Sequence, residues 1–153
     1  MHHRSKVFAV LLAGAVAAAG CGGDGTTPPE PPGNLAPNLA GTYDLTAFSS
    51  ALVTGGQTLE PPDVSGIFVL RQDPPTGNES MGTFEMSISV PDGLGGTTAF
   101  DDVGTYTVRS DGTWEQAGNL NQSRGTYTLE SGTFTVTVTE PPLAVSLSVW
   151  QRR

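Results

Sequence analysis

The 153-residue chain has one cysteine, Cys21, one lysine, Lys6, and two histidines, His2 and His3, all within its first 21 residues. From Gly22 onward there is no thiol, ammonium or imidazole side chain. Ser-His-Asp and Cys-His nucleophilic arrangements are therefore excluded there, as is zinc held by histidine. Schiff-base chemistry goes with the lysine. Disulfides within the chain are excluded by the single cysteine. Positive charge is scarce as well: seven Lys and Arg stand against 15 Asp and Glu, a formal charge of −8. An acidic exterior argues against nucleic acid and against electrostatic attachment to anionic lipid heads. The only extended apolar run, Val7–Gly20, is shorter than the roughly 20 residues that span a bilayer core.

That run is preceded by Met1-His2-His3-Arg4-Ser5-Lys6 and ends in Ala18-Ala19-Gly20-Cys21. A charged start, a short apolar middle and a small-residue site are the parts of an export signal. With Cys21 in this position the segment resembles the bacterial lipoprotein signal, in which the cysteine is acylated and becomes the first residue of the mature protein. The resemblance implies a signal peptide over 1–20 and lipidation at Cys21. An ordinary secretory signal is the alternative, because Ala18 stands where lipoprotein signals most often carry Leu. Acylation would also remove a lone thiol from an oxidising compartment. Cleavage would leave five arginines against all 15 acids, a net charge of about −10. Membrane contact would then come from the lipid, several chains anchoring firmly where one binds only marginally. In a Gram-negative host, Gly22 in place of Asp after the cysteine implies the periplasmic side of the outer membrane, again by resemblance to sorting signals.

Residues 21–38, with the run GGDGTTPPEPPGNLAPN, carry no apolar periodicity and read as a disordered tether. At about 3 Å per residue in extended polyproline geometry, it would hold the rest of the chain up to roughly 50 Å from the membrane. Residues 39–153 have the length of one domain with a single core.

Within that domain a local pattern recurs: Gly-Thr-aromatic at 41–43, 82–84, 104–106, 112–114, 125–127 and 132–134. Period-two runs surround it. Phe84, Met86, Ile88 and Val90 alternate with polar residues, as do Phe134, Val136 and Val138; Leu143, Val145, Leu147 and Val149 alternate with Ala144, Ser146 and Ser148. Such alternation marks half-buried antiparallel strands. In this pattern Gly reads as the turn, Thr as the solvent-facing position and the aromatic as the first core contact. Eight strands are expected, at 41–48, 66–72, 82–90, 103–109, 112–117, 124–130, 132–139 and 143–151. Ser110-Asp111-Gly112 and Glu130-Ser131-Gly132 read as tight hairpin turns. The fold class is all-β, a small eight-stranded antiparallel up-and-down barrel. Phe84, Met86, Ile88, Phe134, Val136, Val138, Val145 and Leu147 are expected to share its core. Trp150, opposite in phase to Leu147 and Val149, is expected at the surface.

These residues resemble the small bacterial lipocalin-like proteins of the calycin superfamily. That superfamily opens its first strand with Gly-x-Trp and places an arginine near the end of the last strand, over the aromatic ring. Gly41-Thr42-Tyr43 stands in the first position, with Tyr for Trp, and Arg152 or Arg153 in the second. The resemblance implies a ligand-binding barrel. Aromatic residues of an eight-stranded barrel more often fill its interior than line a cavity.

No catalytic residue is expected. A carboxylate pair for glycosidic cleavage would have to come from Glu60 with Asp63, or Glu115 with Glu130. No metal or other cofactor is expected. Asp92, Asp101 and Asp102 match no calcium-loop spacing, and acids at turns bond their own backbone. The connections at 49–65, 91–102, 117–123 and 140–142 should cluster at one end of the meander. Any ligand or partner should be met there by residues around Leu52, Leu59, Leu94, Phe100 and Leu120. The expected function is a membrane-anchored, monomeric binding module for a small apolar ligand or peptide. The alternatives are a solid structural or interaction barrel that docks to an envelope protein and, more remotely, a carboxylate hydrolase.

Overall fold

Each of the six Gly-Thr-aromatic segments delivers its ring to one interior: Tyr43, Phe84, Tyr106, Trp114, Tyr127 and Phe134 are all buried. The computed structural model describes residues 35–153, so Cys21, the expected signal at 1–20 and the expected tether up to residue 34 lie outside the described residues. The strands are β1 (Gly41–Ser50), β2 (Thr58–Leu59), β3 (Ser65–Gln72), β4 (Glu79–Pro91), β5 (Thr97–Arg109), β6 (Thr113–Gly118), β7 (Gln122–Glu130), β8 (Thr133–Glu140) and β9 (Ser146–Arg152). A single 3₁₀ turn covers Pro142–Ala144.

Every pairing is antiparallel, and from β3 to β9 each strand pairs with the next. β1 pairs with both β3 and β9, which closes an eight-stranded up-and-down barrel. β2 is a two-residue addition on the end of β1, Phe48 opposite Leu59. It lies just before Glu60-Pro61-Pro62-Asp63, which turns as its prolines require.

The glycines of the repeat act differently from the expectation. Only Gly112 and Gly132 sit in hairpin turns, with φ of 89° and 85°. Gly82, Gly104 and Gly125 lie inside strands, facing inward two residues before their aromatics. Each stands opposite a large ring on the neighbouring strand: Gly82 faces Tyr106, Gly104 faces Phe84 and Gly125 faces Trp114. A Cβ on Gly82 would come within 2.8 Å of the Tyr106 ring. The repeat is thus a packing device, a gap on one strand receiving the ring of the next.

β9 corrects the sequence reading most sharply. Trp150 is fully buried, whereas Val145 and Leu147 are 41% and 36% exposed. Ser146 and Ser148 share the inner face with Trp150, because they stand opposite Val138, Val136 and Phe134 of β8. The strand face is therefore the reverse of the expected one, a change of side that a one-residue slip always produces. The other six expected core residues do point inward, Met86 and Val138 as partly buried members. β1 matches β9 by means of a bulge: the register shifts between Leu45 and Ala47, so the inner face passes from Tyr43 and Leu45 to Phe48 and Ser50.

Packing begins before residue 39. Ala36 and Leu39 belong to the core and close one end of the barrel. The Gln72 side chain holds them, accepting from the Leu39 N–H at 2.6 Å and donating to the Pro37 carbonyl at 2.8 Å. The Tyr43 hydroxyl donates to the Leu39 carbonyl at 2.7 Å. Arg152 lies over the Tyr43 ring, its Cζ 5.4 Å from the centroid, and donates to the Ala40 carbonyl.

Burial raises the pKa of the Tyr43, Tyr106 and Tyr127 phenols above the usual 10, that of Tyr127 to about 12 with a further contribution from the Asp111 charge. The folded state therefore holds these protons more tightly than the unfolded chain does. Their stabilisation is complete below pH 10 and is lost as pH rises through each raised pKa, about 12 for Tyr127. Tyrosinate absorbance should thus appear together with cooperative loss of the β-sheet circular dichroism. Titration of all three phenols near pH 10 in a folded protein would contradict their burial.

Candidate functional site

The barrel interior has two unlike halves. Toward the end closed by Ala36 and Leu39 it is filled by rings: Phe68 lies 5.0 Å from Trp150, 5.9 Å from Phe84 and 6.1 Å from Phe134 by centroid, and Tyr106 stacks on Trp114 at 5.1 Å. Toward the other end the inward positions of β1, β7 and β9 are Ser50, Ser123, Ser146 and Ser148. Short side chains there leave a cavity of about 400 Å³. Its apolar lining includes Phe48, Met86, Ile88, Phe100, Val136 and Val138, and its polar lining adds Asp102 and Gln116 to the serines. The volume falls in the range of pockets that bind small organic molecules.

The mouth of this cavity is the loop end. The connections after β1, β4, β6 and β8 lie together there, because strands of a meander alternate in direction. Exposed Leu52, Leu94, Leu120 and Leu143 each sit on one of the four. Of the residues expected to meet a ligand, Leu52, Phe100 and Leu120 line the cavity. Leu59 instead packs on the core from β2, and Leu94, 93% exposed, stands at the tip of the β4–β5 hairpin without lining it. β5 starts at Thr97, so Phe100 is a strand residue and the connection is shorter than the expected 91–102. Gly93, Gly95 and Gly96 disguised a strand whose Thr97-Thr98 start favours extended backbone.

Asp102 is the functional candidate that the sequence reading left as a weak loop acid. Counting back in twos from inward Tyr106 places Asp102 and Phe100 on the inner face, and that signal was present in the alternation. The residue is 3% exposed. Its carboxylate accepts from the Leu120 N–H at 3.1 Å and, at 3.5 Å, from the Gln116 side-chain amide. Gly118 makes room for it; a Cβ there would collide with the carboxylate.

The other acids have local explanations. Asp92 accepts the N–H groups of Leu94 and Gly96 at 2.8 and 2.9 Å, and these bonds hold its carboxyl below the usual range. Among the described residues no group of three or more His, Cys, Asp or Glu is placed to hold a metal ion. Glu60 and Asp63 are exposed in the turn after β2. Glu115 accepts from Arg109 at 3.2 Å on the half-exposed outer face, and Glu130 ends β7 in solvent. A wider depression of about 660 Å³ lies on the outer face of β5–β7, with Thr105, Thr107, Glu115 and Arg124 among its lining. It is open to water, and its charged groups lie within ion-pair distance of one another at 3.9 Å.

Neither a family model, nor a curated protein, nor a solved structure matches the chain.

Proposed function

We propose that the protein is an extracytoplasmic binding module, anchored to a membrane by lipid on Cys21 and holding one small, largely apolar ligand in the mouth of its barrel. The observation that carries this reading is the half-filled interior: four inward serines leave about 400 Å³ beside an apolar wall that a solid barrel would have packed. Four exposed leucines around the entrance suit an apolar entrant. Arg152 over Tyr43 is the arrangement that the lipocalin-like resemblance implies, and it supports the same reading. A hydrolase is disfavoured, since Glu60 and Asp63 lie in solvent outside the cavity and Glu115 is engaged by arginine.

The test is titration with the uncharged dye phenylnaphthylamine. It should bind saturably at one site per chain. Ser148→Phe, which fills the cavity, should weaken binding at least about tenfold and leave the melting temperature similar or higher. Binding that survives Ser148→Phe unchanged would show that the dye does not occupy the cavity. The anchor is tested in the host by fatty-acid labelling, which should mark the natural chain and not Cys21→Ser.

A further inference from the structure

Asp102 is almost fully buried on the cavity wall, and among the described residues no cation faces it. Every cation of residues 35–153 is an arginine. Arg71 pairs with Glu85, Arg109 with Glu79 and Glu115, and Arg153 with Asp44, while Arg124 leans on Glu115 at 3.9 Å. Arg152 is spent on Tyr43 and Ala40 at the closed end. None of the five lines the cavity.

An ionised carboxylate offers about four acceptor positions. Here the protein fills one at good distance and a second only at the 3.5 Å limit. A buried, incompletely paired carboxylate is costly to a fold. The hydrogen bond from Leu120 does not require the charge, because an asparagine oxygen would accept it equally. The charge thus has no partner in the fold. Its surroundings fit one in a ligand: Gln116, Ser50, Ser146 and Ser148 line the same cavity and add neutral acceptors, while the apolar lining suits a hydrocarbon body.

Given that the cavity holds a ligand at all, we infer that the ligand is a small organic cation, an apolar body carrying an ammonium group that ion-pairs with Asp102. A primary ammonium brings three donors, enough for the carboxylate and for the neutral oxygens beside it. Fatty acids and other apolar anions are opposed by the same charge in a site of low dielectric.

The experiment compares three molecules of one shape, naphthylmethylamine, naphthalenemethanol and naphthoate, by calorimetry on the exported chain at neutral pH. The amine should bind at least about tenfold tighter than the alcohol, as a charge-assisted hydrogen bond warrants, and naphthoate weakest. Asp102→Asn should erase the preference for the amine over the alcohol and keep the melting transition. A purely structural Asp102 would not produce this loss of charge discrimination. Equal binding of all three, tightest binding of naphthoate, or an amine preference that survives in Asp102→Asn would overturn the cation assignment and leave the ligand reading standing. Failure of all three to bind would remove both. If Asp102→Asn does not fold, the ranking on the unaltered chain decides by itself.

Discussion

Replacing Trp150 with alanine should destabilise the protein by about 3–5 kcal/mol, the loss expected for a large aromatic removed from a packed core. Domains of this size are stable by about 5–15 kcal/mol in total, so the variant should be at the edge of folding. The indole is fully buried, stands opposite Leu45 and Phe134 on its two neighbouring strands, and packs against Phe68 at 5.0 Å. Its N–H finds no acceptor among the described residues. Trp150→Phe should therefore be much milder, since it keeps the ring and removes an unpaired donor. Urea denaturation of the two variants measures the difference. A loss within about 0.5 kcal/mol for Trp150→Ala would mean that the ring lies at the surface.

The second large effect separates two positions on paired strands. Val136→Asp should unfold the domain, because it places a carboxylate without a partner among buried side chains and costs about 3–5 kcal/mol. Leu147→Asp should be tolerated within about 1 kcal/mol, since Leu147 stands opposite Thr137 on the outer face. Circular dichroism and thermal melting of both variants provide the test. Unfolding by Leu147→Asp together with tolerance of Val136→Asp would invert the faces of β8 and β9.

This pair also marks where the sequence stopped being legible. In β8 alternation has one reading, because Phe134, Val136 and Val138 are apolar and their neighbours are threonines. In β9 the two faces compete: Leu147 and Val149, continuing from Val145 just before the strand, on one, and Trp150 with two serines on the other. Counting hydrophobic residues favours the first face. What decides is register, since Phe134 opposite Trp150 brings the ring into the aromatic cluster. The bulge near Thr46 changes phase within β1 and leaves no mark in its period. Strand number, order and closure were readable because the Gly-Thr-aromatic repeats and turn residues report local backbone choices. The cavity was not, because it depends on inward serines from β1, β7 and β9 meeting across the barrel. Leu52, Phe100 and Leu120 could be placed at the mouth, and Leu94 on a loop beside it, from meander geometry alone, whereas Leu59 packs on the core along a path within the 49–65 connection that the sequence does not give.

The ion pairs contribute little to stability. Arg71–Glu85 and Arg153–Asp44 are exposed, and such pairs are worth about 0–1 kcal/mol. Closure of the barrel rests instead on the β1–β9 ladder and on the rings that it covers.

The most direct test of the central claim, that a ligand enters the serine-lined half of the barrel, is methyl-resolved NMR during titration with naphthylmethylamine. Saturable shifts are expected at Met86, Ile88, Val136 and Val138, with Val108 and Leu70 of the packed half unmoved. Shifts confined to the outer face of β5–β7, or none at saturating probe, would contradict it.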